Sequence, residues 1–232
     1  MTSEAYDSDP VALLEALLTT IEDKIIPLTS SGVSSGNKLF GAAILSKSGL
    51  VPQTVSTNNE VASPLLHGEI NCIQQFFAQT SFPGASSSGA SSSQRPSPRD
   101  CVFLATHEPC SLCLSGIAWS GFDNFFYLFT YEDSRDLFAI PHDIDILQEV
   151  FRVPAIAEGE DLDARPLYNR RNRFFTARSF ADLVREIAER RGEDEGRKWG
   201  DEVARVKELY NALSDTYQDS KAAGLESASF WK

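Results

Sequence analysis

Apolar positions along the chain follow two rhythms, a helical one and a strand-like one. In residues 10–28, Val11, Leu13, Leu14, Leu17, Leu18, Ile21, Ile25 and Ile26 recur three or four apart. That spacing predicts an amphipathic helix. Asp9 before Pro10 reads as an N-cap followed by proline at the first helical position. The Ser/Gly-rich stretch 29–37 then predicts a turn or loop. Leu39 to Leu45 is short and apolar throughout, as a buried strand is, and Gly41 within it marks the close approach of another backbone. Ser48-Gly49 reads as a turn. Leu50 to Thr57 alternates as a second strand, completing a hairpin that ends in the polar loop Thr57 to Glu60.

Leu65 to Gln79 predicts a helix with Ile70, Ile73, Phe76 and Phe77 on its apolar face. Residues 80–100 are dominated by serine, glycine and proline, which bury too little apolar area to offset chain ordering. They predict a flexible insertion within a domain. Cys101 to Thr106 reads as a buried strand. Pro109 opens a helix over Cys110 to Trp119, and Gly121 stops it. Phe125 to Thr130 predicts another strand, and 142–151 a short helix with Ile144, Leu147, Val150 and Phe151 inward. An acidic loop over 152–164 leads to a last strand at Arg173 to Ala177. Ser179 caps a helix running to about Arg190, with Phe180, Leu183, Val184 and Ile187 at helical spacing. After a charged break at 191–196, Lys198 to Tyr217 predicts one further helix. No internal repeat is present. Helices alternating with strands predict an α/β protein, a three-layer α/β/α sandwich on a mixed sheet. The expected division is a domain over 1–192 and a helical C-terminal extension over 193–232.

Bulk properties narrow the function classes. The 232 residues are 42% apolar, enough for a sizeable core. No apolar run reaches the length of a membrane span. Met1 to Pro10 is acidic and polar, unlike a secretory signal. The four cysteines, Cys72, Cys101, Cys110 and Cys113, read as reduced thiols and metal ligands, so the expected compartment is cytoplasmic, or the nucleus. The net charge of −12 disfavours a phosphate backbone as partner. One local exception is the arginine-rich stretch from Arg165 to Arg178, which reads first as a solvated loop.

Two segments carry chemistry: His67-Gly68-Glu69 and Pro109-Cys110-Ser111-Leu112-Cys113. Cys110 and Cys113 are i, i+3 and share one face within a helical turn. His67 offers an imidazole as third ligand. Two thiolates and one imidazole leave the fourth tetrahedral position of Zn²⁺ open, the layout of a catalytic rather than a structural zinc. Both segments sit at predicted helix N-termini, whose dipoles favour thiolates and hydroxide. A zinc hydroxide is then available near neutral pH. Glu69, two residues from the histidine, is placed to move protons on and off it.

The stretches L-L-H-G-E-I-N-C-I and T-H-E-P-C-S-L-C-L-S-G-I-A-W-S-G resemble the two zinc motifs of the cytidine deaminase superfamily. The histidine ligand and the E-P-C lead-in are similar to the branch of guanine deaminases, yeast-type cytosine deaminases and tRNA adenosine deaminases. The resemblance runs from about Leu39 to Ile187. It implies a five-stranded sheet flanked by helices, a homodimer, zinc held by His67, Cys110 and Cys113, and Glu69 as proton shuttle. It further implies hydrolytic deamination of a small amino-heterocycle, a free nucleobase or nucleoside. The alternatives are a tRNA or RNA adenosine deaminase subunit and a non-catalytic zinc-binding interaction protein.

The resemblance also supplies weaker site candidates. An asparagine before H-x-E holds the base or sugar in the family, and Asn58 and Asn59 are the candidates. His107 beside the second motif faces the pocket or makes an ordinary strand-end bond. Glu132 or Asp133 reads a base edge or lies in a solvated turn. Trp231 closes the site from the C-terminus or docks on a partner. Phe40, Trp119 and Phe129 read as ordinary core, and Cys72 and Cys101 as buried, unliganded thiols.

Overall fold

The computed structural model describes residues 8–79, 95–152 and 161–224. The predicted insertion at 80–100 lies mostly outside these residues, as does Trp231. Pro10 starts the first helix, α1 (Pro10–Thr20), and the Asp9 side chain caps it. The chain then widens into a π turn (Ile21–Ile25) and continues as α2 (Ile26–Val33). Pro27 explains the widening, because its ring clashes with the carbonyl four residues back in a regular helix. The loop expected over 29–37 is therefore helical as far as Val33. Thr29 and Val33 are buried there, and that tertiary packing outweighs the weak helical preference of the local Ser/Gly sequence.

A five-stranded mixed sheet follows, in the order β2-β1-β3-β4-β5. The hairpin is β1 (Gly41–Ser46) with β2 (Pro52–Thr57), antiparallel, placing Ala43 opposite Val55. On its other side β1 runs antiparallel to β3 (Cys101–His107), Ala43 opposite Leu104. Strands β4 (Asn124–Phe129) and β5 (Thr176–Ser179) continue in parallel, with Leu104 beside Phe126 and Phe125 beside Ala177. The last strand begins three residues later than expected.

The two faces of the sheet bury separate clusters. One face takes Ala42, Ile44, Phe103, Ala105, Phe125 and Tyr127 and is covered by α3 (Gly68–Ala78) and α4 (Ser111–Ser120). The other takes Ala43, Leu45, Leu104, Phe126 and Leu128, packed against α1 and the C-terminal helices. These are α7 (Phe180–Arg191), α8 (Glu193–Glu208) and α9 (Tyr210–Ala222). The predicted break at 191–196 is narrower in the structure: Gly192, at φ 100°, turns the chain and α8 starts at once. The single helix expected over 198–217 is interrupted at Leu209.

Two further helices differ from expectation. Tyr131 to Asp133 opens α5 (Tyr131–Phe138), which Thr130 and Asp133 close with a reciprocal capping box. The helix α6 (His142–Ile146) runs into a second π turn (Leu147–Phe151). Ile144 and Leu147 are buried as predicted, but Val150 and Phe151 are exposed, because the wider turn rotates them off the inward face. No helix of the described residues is long and apolar enough to cross a membrane.

Candidate metal centre

Strands β2 and β3 end at the same edge of the sheet, and α3 and α4 start there. His67 is the N-cap residue of α3, with extended backbone and no side-chain capping bond. Cys110 holds the same position on α4, again without a capping bond. Serine, threonine, aspartate or asparagine at an N-cap stabilises a helix by about 1 kcal/mol, so both helices forgo that gain. Their cap side chains turn towards one another instead.

Cys110 Sγ lies 3.4 Å and Cys113 Sγ 3.7 Å from His67 Nδ1. The three donor atoms all lie within 4.8 Å of one another. Zinc bonds of about 2.3 Å to sulfur and 2.0–2.1 Å to nitrogen at tetrahedral angles set sulfur–nitrogen edges of about 3.6 Å. The donor set and its spacing fit Zn²⁺. No other such cluster of three or more His, Cys, Asp or Glu side chains is present among the described residues.

Glu69, 5% exposed, stands beside the cluster and accepts from Cys113 Sγ at 3.4 Å. Burial, aided by the charge of Cys110, pushes its carboxyl up to about 7. Cys110 is held well below the usual thiol range, first by the hydrogen bond from Cys113 and then by His67, against burial. Burial depresses the His67 imidazole, yet the bond and charge of Cys110 prevail and lift it to about 9.

Glycine backbone sets this geometry. A Cβ on Gly68 would sit 3.0 Å from both Gly41 Cα and Phe40 O. The start of α3 therefore rests directly on β1, the close approach that Gly41 predicted. The Gly68 amide donates to Asn58 Oδ1 at 2.6 Å. That bond fixes which end of the Asn58 amide is which. Asn58 Nδ2 remains buried and without a protein partner.

The other sequence candidates separate. Asn59 is exposed, and its backbone closes the turn by bonding Leu66 O at 2.8 Å. His107 is buried away from the cluster, stacked at 4.7 Å on Phe129 and 4.3 Å from Phe40, with Phe138 and Tyr210 edge-on. Its Nδ1 meets Thr106 Oγ1 at 2.9 Å. Burial, then the charge of Lys207, keeps it neutral, well below its usual range. Glu132 is exposed on α5, and Asp133 caps that helix and pairs with Lys207 at 2.6 Å. Phe40 and Phe129 are core, as expected; Trp119 is not, being 91% exposed on α4. Cys72 and Cys101 are buried and outside the cluster.

The structure adds one residue that periodicity could not mark. Asp143, on α6, shares its electrostatic environment with Cys110, His67 and Glu69. Burial first, and the Cys110 charge second, push its carboxyl up to about 7, while His67 and Lys38 oppose the shift. Its only signal in the sequence is an acid at the head of a short apolar-patterned helix.

Residues 23–129 match the family model of the cytidine and deoxycytidylate deaminase zinc-binding region. No curated protein matches the chain. Among solved structures, a guanine deaminase from Nitrosomonas europaea aligns at 16% identity and TM-score 0.40, covering 78% of this chain and 82% of that one. A guanine deaminase from Bacillus subtilis aligns at 23% and 0.42, covering 65% and 83%. A structure from work on tRNA:A34 deaminases aligns at 17% and 0.35, covering 48% and 76%. At these distances no function is carried over from the structures. The matched region holds both motifs and all three donor residues, so residues 23–129 are similar to the cytidine and deoxycytidylate deaminase zinc-binding region.

Proposed function

We propose that the protein hydrolytically deaminates a small amino-heterocycle, a nucleobase or nucleoside. The observation that carries this reading is the buried Glu69 carboxyl beside the convergent His67, Cys110 and Cys113 donors. His67, Cys110 and Cys113 would hold zinc. Bound there, zinc supplies Lewis acidity that makes water a nucleophile near neutral pH. Three protein donors keep one position free for that role.

Glu69 does the proton work. It takes the proton of the attacking water and passes it to a ring nitrogen. Glu69 then carries the proton of the hydroxyl now on the ring carbon to the exocyclic amine, the carbon–nitrogen bond breaks, and ammonia leaves. A carboxyl near neutrality suits both halves of that exchange, since it gains and loses protons with similar ease. Asn58 Nδ2 is a buried donor in need of an acceptor, and a ring carbonyl or sugar oxygen would meet that need. Asp143, buried in the field of the same donors, would receive an N–H of the heterocycle. The net charge of −12 favours a small substrate over a polynucleotide.

The direct test is ammonia release from cytosine, guanine, adenine and their nucleosides by zinc-loaded protein. Glu69→Gln should retain stoichiometric zinc and lose roughly 10²–10⁴-fold in turnover, the range of a general acid–base group. Turnover undiminished in that variant would remove Glu69 from the mechanism. Release of ammonia from no member of the panel would remove the function.

A further inference from the structure

The polar loop between β2 and α3 carries a functional group at each end, Asn58 at its start and His67 at its close. Little apolar packing holds it. Val61 is 50% and Leu65 61% exposed, and Ala62 and Pro64 are exposed as well. Inside the loop, Asn59 N donates to Leu66 O at 2.8 Å and Leu66 N to Ser63 O at 3.0 Å. Those bonds set the shape of the loop but not its place on the protein. Its middle is tied to the body of the protein at Glu60 and Val61. Val61 N donates to Asn37 Oδ1 at 3.0 Å. Glu60, 1% exposed, faces Lys38 with both oxygens: the Lys38 amide donates to Oε2 at 3.0 Å, and the ammonium lies 3.1 Å from Oε1.

A buried ion pair adds little stability over a well-packed apolar pair, because desolvation of both charges opposes their attraction. What a carboxylate with charge-assisted contacts on both oxygens does supply is a defined position. Lys38 lies two residues before Phe40, whose carbonyl accepts Asn58 N at 3.0 Å. Glu60 and Asn58 are thus fastened to one short run of backbone, 38–40. The pair also borders the site: the Glu60 charge is felt at His67 and the Lys38 charge at Asp143. On the site side, Asn58 Oδ1 is held by the Gly68 amide while Nδ2 is buried without a protein partner. Resting on the deaminase reading, in which Asn58 Nδ2 meets the heterocycle, we propose that Glu60 is a positioning residue for the substrate. Anchored on Lys38, it fixes the loop so that Asn58 Nδ2 is held where the ligand's acceptor arrives. Glu60 touches no reacting atom and acts through Asn58.

Steady-state ammonia release by the zinc-loaded full-length protein, read beside amide hydrogen exchange, tests this role. Glu60→Gln removes the charge. Glu60→Asp keeps it but is one methylene short, and it leaves Lys38 paired, which guards against misfolding of the first variant. Each should raise KM by about tenfold, the loss of one hydrogen bond, with kcat within about threefold and zinc stoichiometric. The amides of Asn59, Ala62 and Leu66 should exchange at least about tenfold faster, while Ala43 in β1 exchanges as before. Asn58→Ala should raise KM comparably, and adding Glu60→Asp to it should raise KM by less than about threefold further, since both act on one contact. Wild-type KM in Glu60→Asp, independent effects in the double variant, unchanged exchange in the loop, or loss of zinc would each overturn the proposal. Ammonia from no substrate, with faster loop exchange in the variants, would remove the deaminase reading and the substrate role of Glu60 with it. Ordinary ammonia release with unchanged KM would remove the role of Glu60 alone.

Discussion

Asp143 and His107 are both buried titratable groups, and they serve opposite ends. Asp143 stands in the field of the metal donors. As a group that receives an N–H of the heterocycle, it should matter to recognition more than to zinc. Asp143→Asn should leave zinc content unchanged and lower kcat/KM for the preferred base by about 10–100-fold, the cost of one hydrogen bond to a charged group. Unchanged kcat/KM would exclude that role. His107 is kept neutral in an aromatic box. Below pH 6.5 the unfolded chain takes up a proton that folded His107 refuses, so acid withdraws stability. His107→Phe should flatten the fall of unfolding free energy between pH 7 and 5 by up to about 1.4 kcal/mol per pH unit. Parallel profiles for the two proteins would refute the assignment. At this scale the sequence was legible where chemistry dictates spacing, as in H-x-E and P-C-x-x-C. It was silent on Asp143, whose nearness to the donors is set by tertiary packing and not by any local pattern. It was ambiguous on His107, whose direction depends on how the end of β3 meets Phe129.

Among the elements, the seating of α3 on β1 governs the site. Gly68 lies between His67 and Glu69, and any side chain there would press on backbone atoms of Phe40 and Gly41. Backbone cannot swing aside as a flexible side chain does. Gly68→Ala should therefore cost about 1–3 kcal/mol of stability, the usual penalty of overpacking. It should also weaken zinc retention against a chelator, since both flanking residues move with the helix. A variant with wild-type zinc retention would show the approach to be dispensable. Strand and helix rhythm predicted most elements, including the sheet, but two helix ends escaped it. The α2 extension depends on burial of Thr29 and Val33, which local composition opposes. The α5 start was written in Thr130 and Asp133, a capping pattern whose flanking apolar run is too short to stand out.

Considered whole, the molecule has no peripheral C-terminus among its described residues. Trp199, Val206, Tyr210, Leu213 and Tyr217 are buried in the same cluster as Leu14, Leu17, Phe126 and Phe180. A chain ending at Gly192 would expose that face. Burial of five large side chains is worth on the order of 10 kcal/mol as an upper estimate, comparable to the whole stability of a domain. The shortened protein should be insoluble or lack a cooperative thermal transition; a soluble, cooperatively melting product would mark α8 and α9 as a true appendage. Their period was visible in the sequence, but their apolar face gave no sign of which surface it would cover.

The stack at the end of β3 has one more consequence, for how the protein matures. Tyr210 closes the aromatic box around His107, three residues before Cys110. During synthesis His67 leaves the ribosome well before Cys110, and both emerge long before Tyr210. Until that last partner arrives, the strand that presents the second motif lacks cover on one face. Metal capture should then be a late step in biogenesis, and released nascent chains stopped before α9 should carry little zinc even when the metal is plentiful.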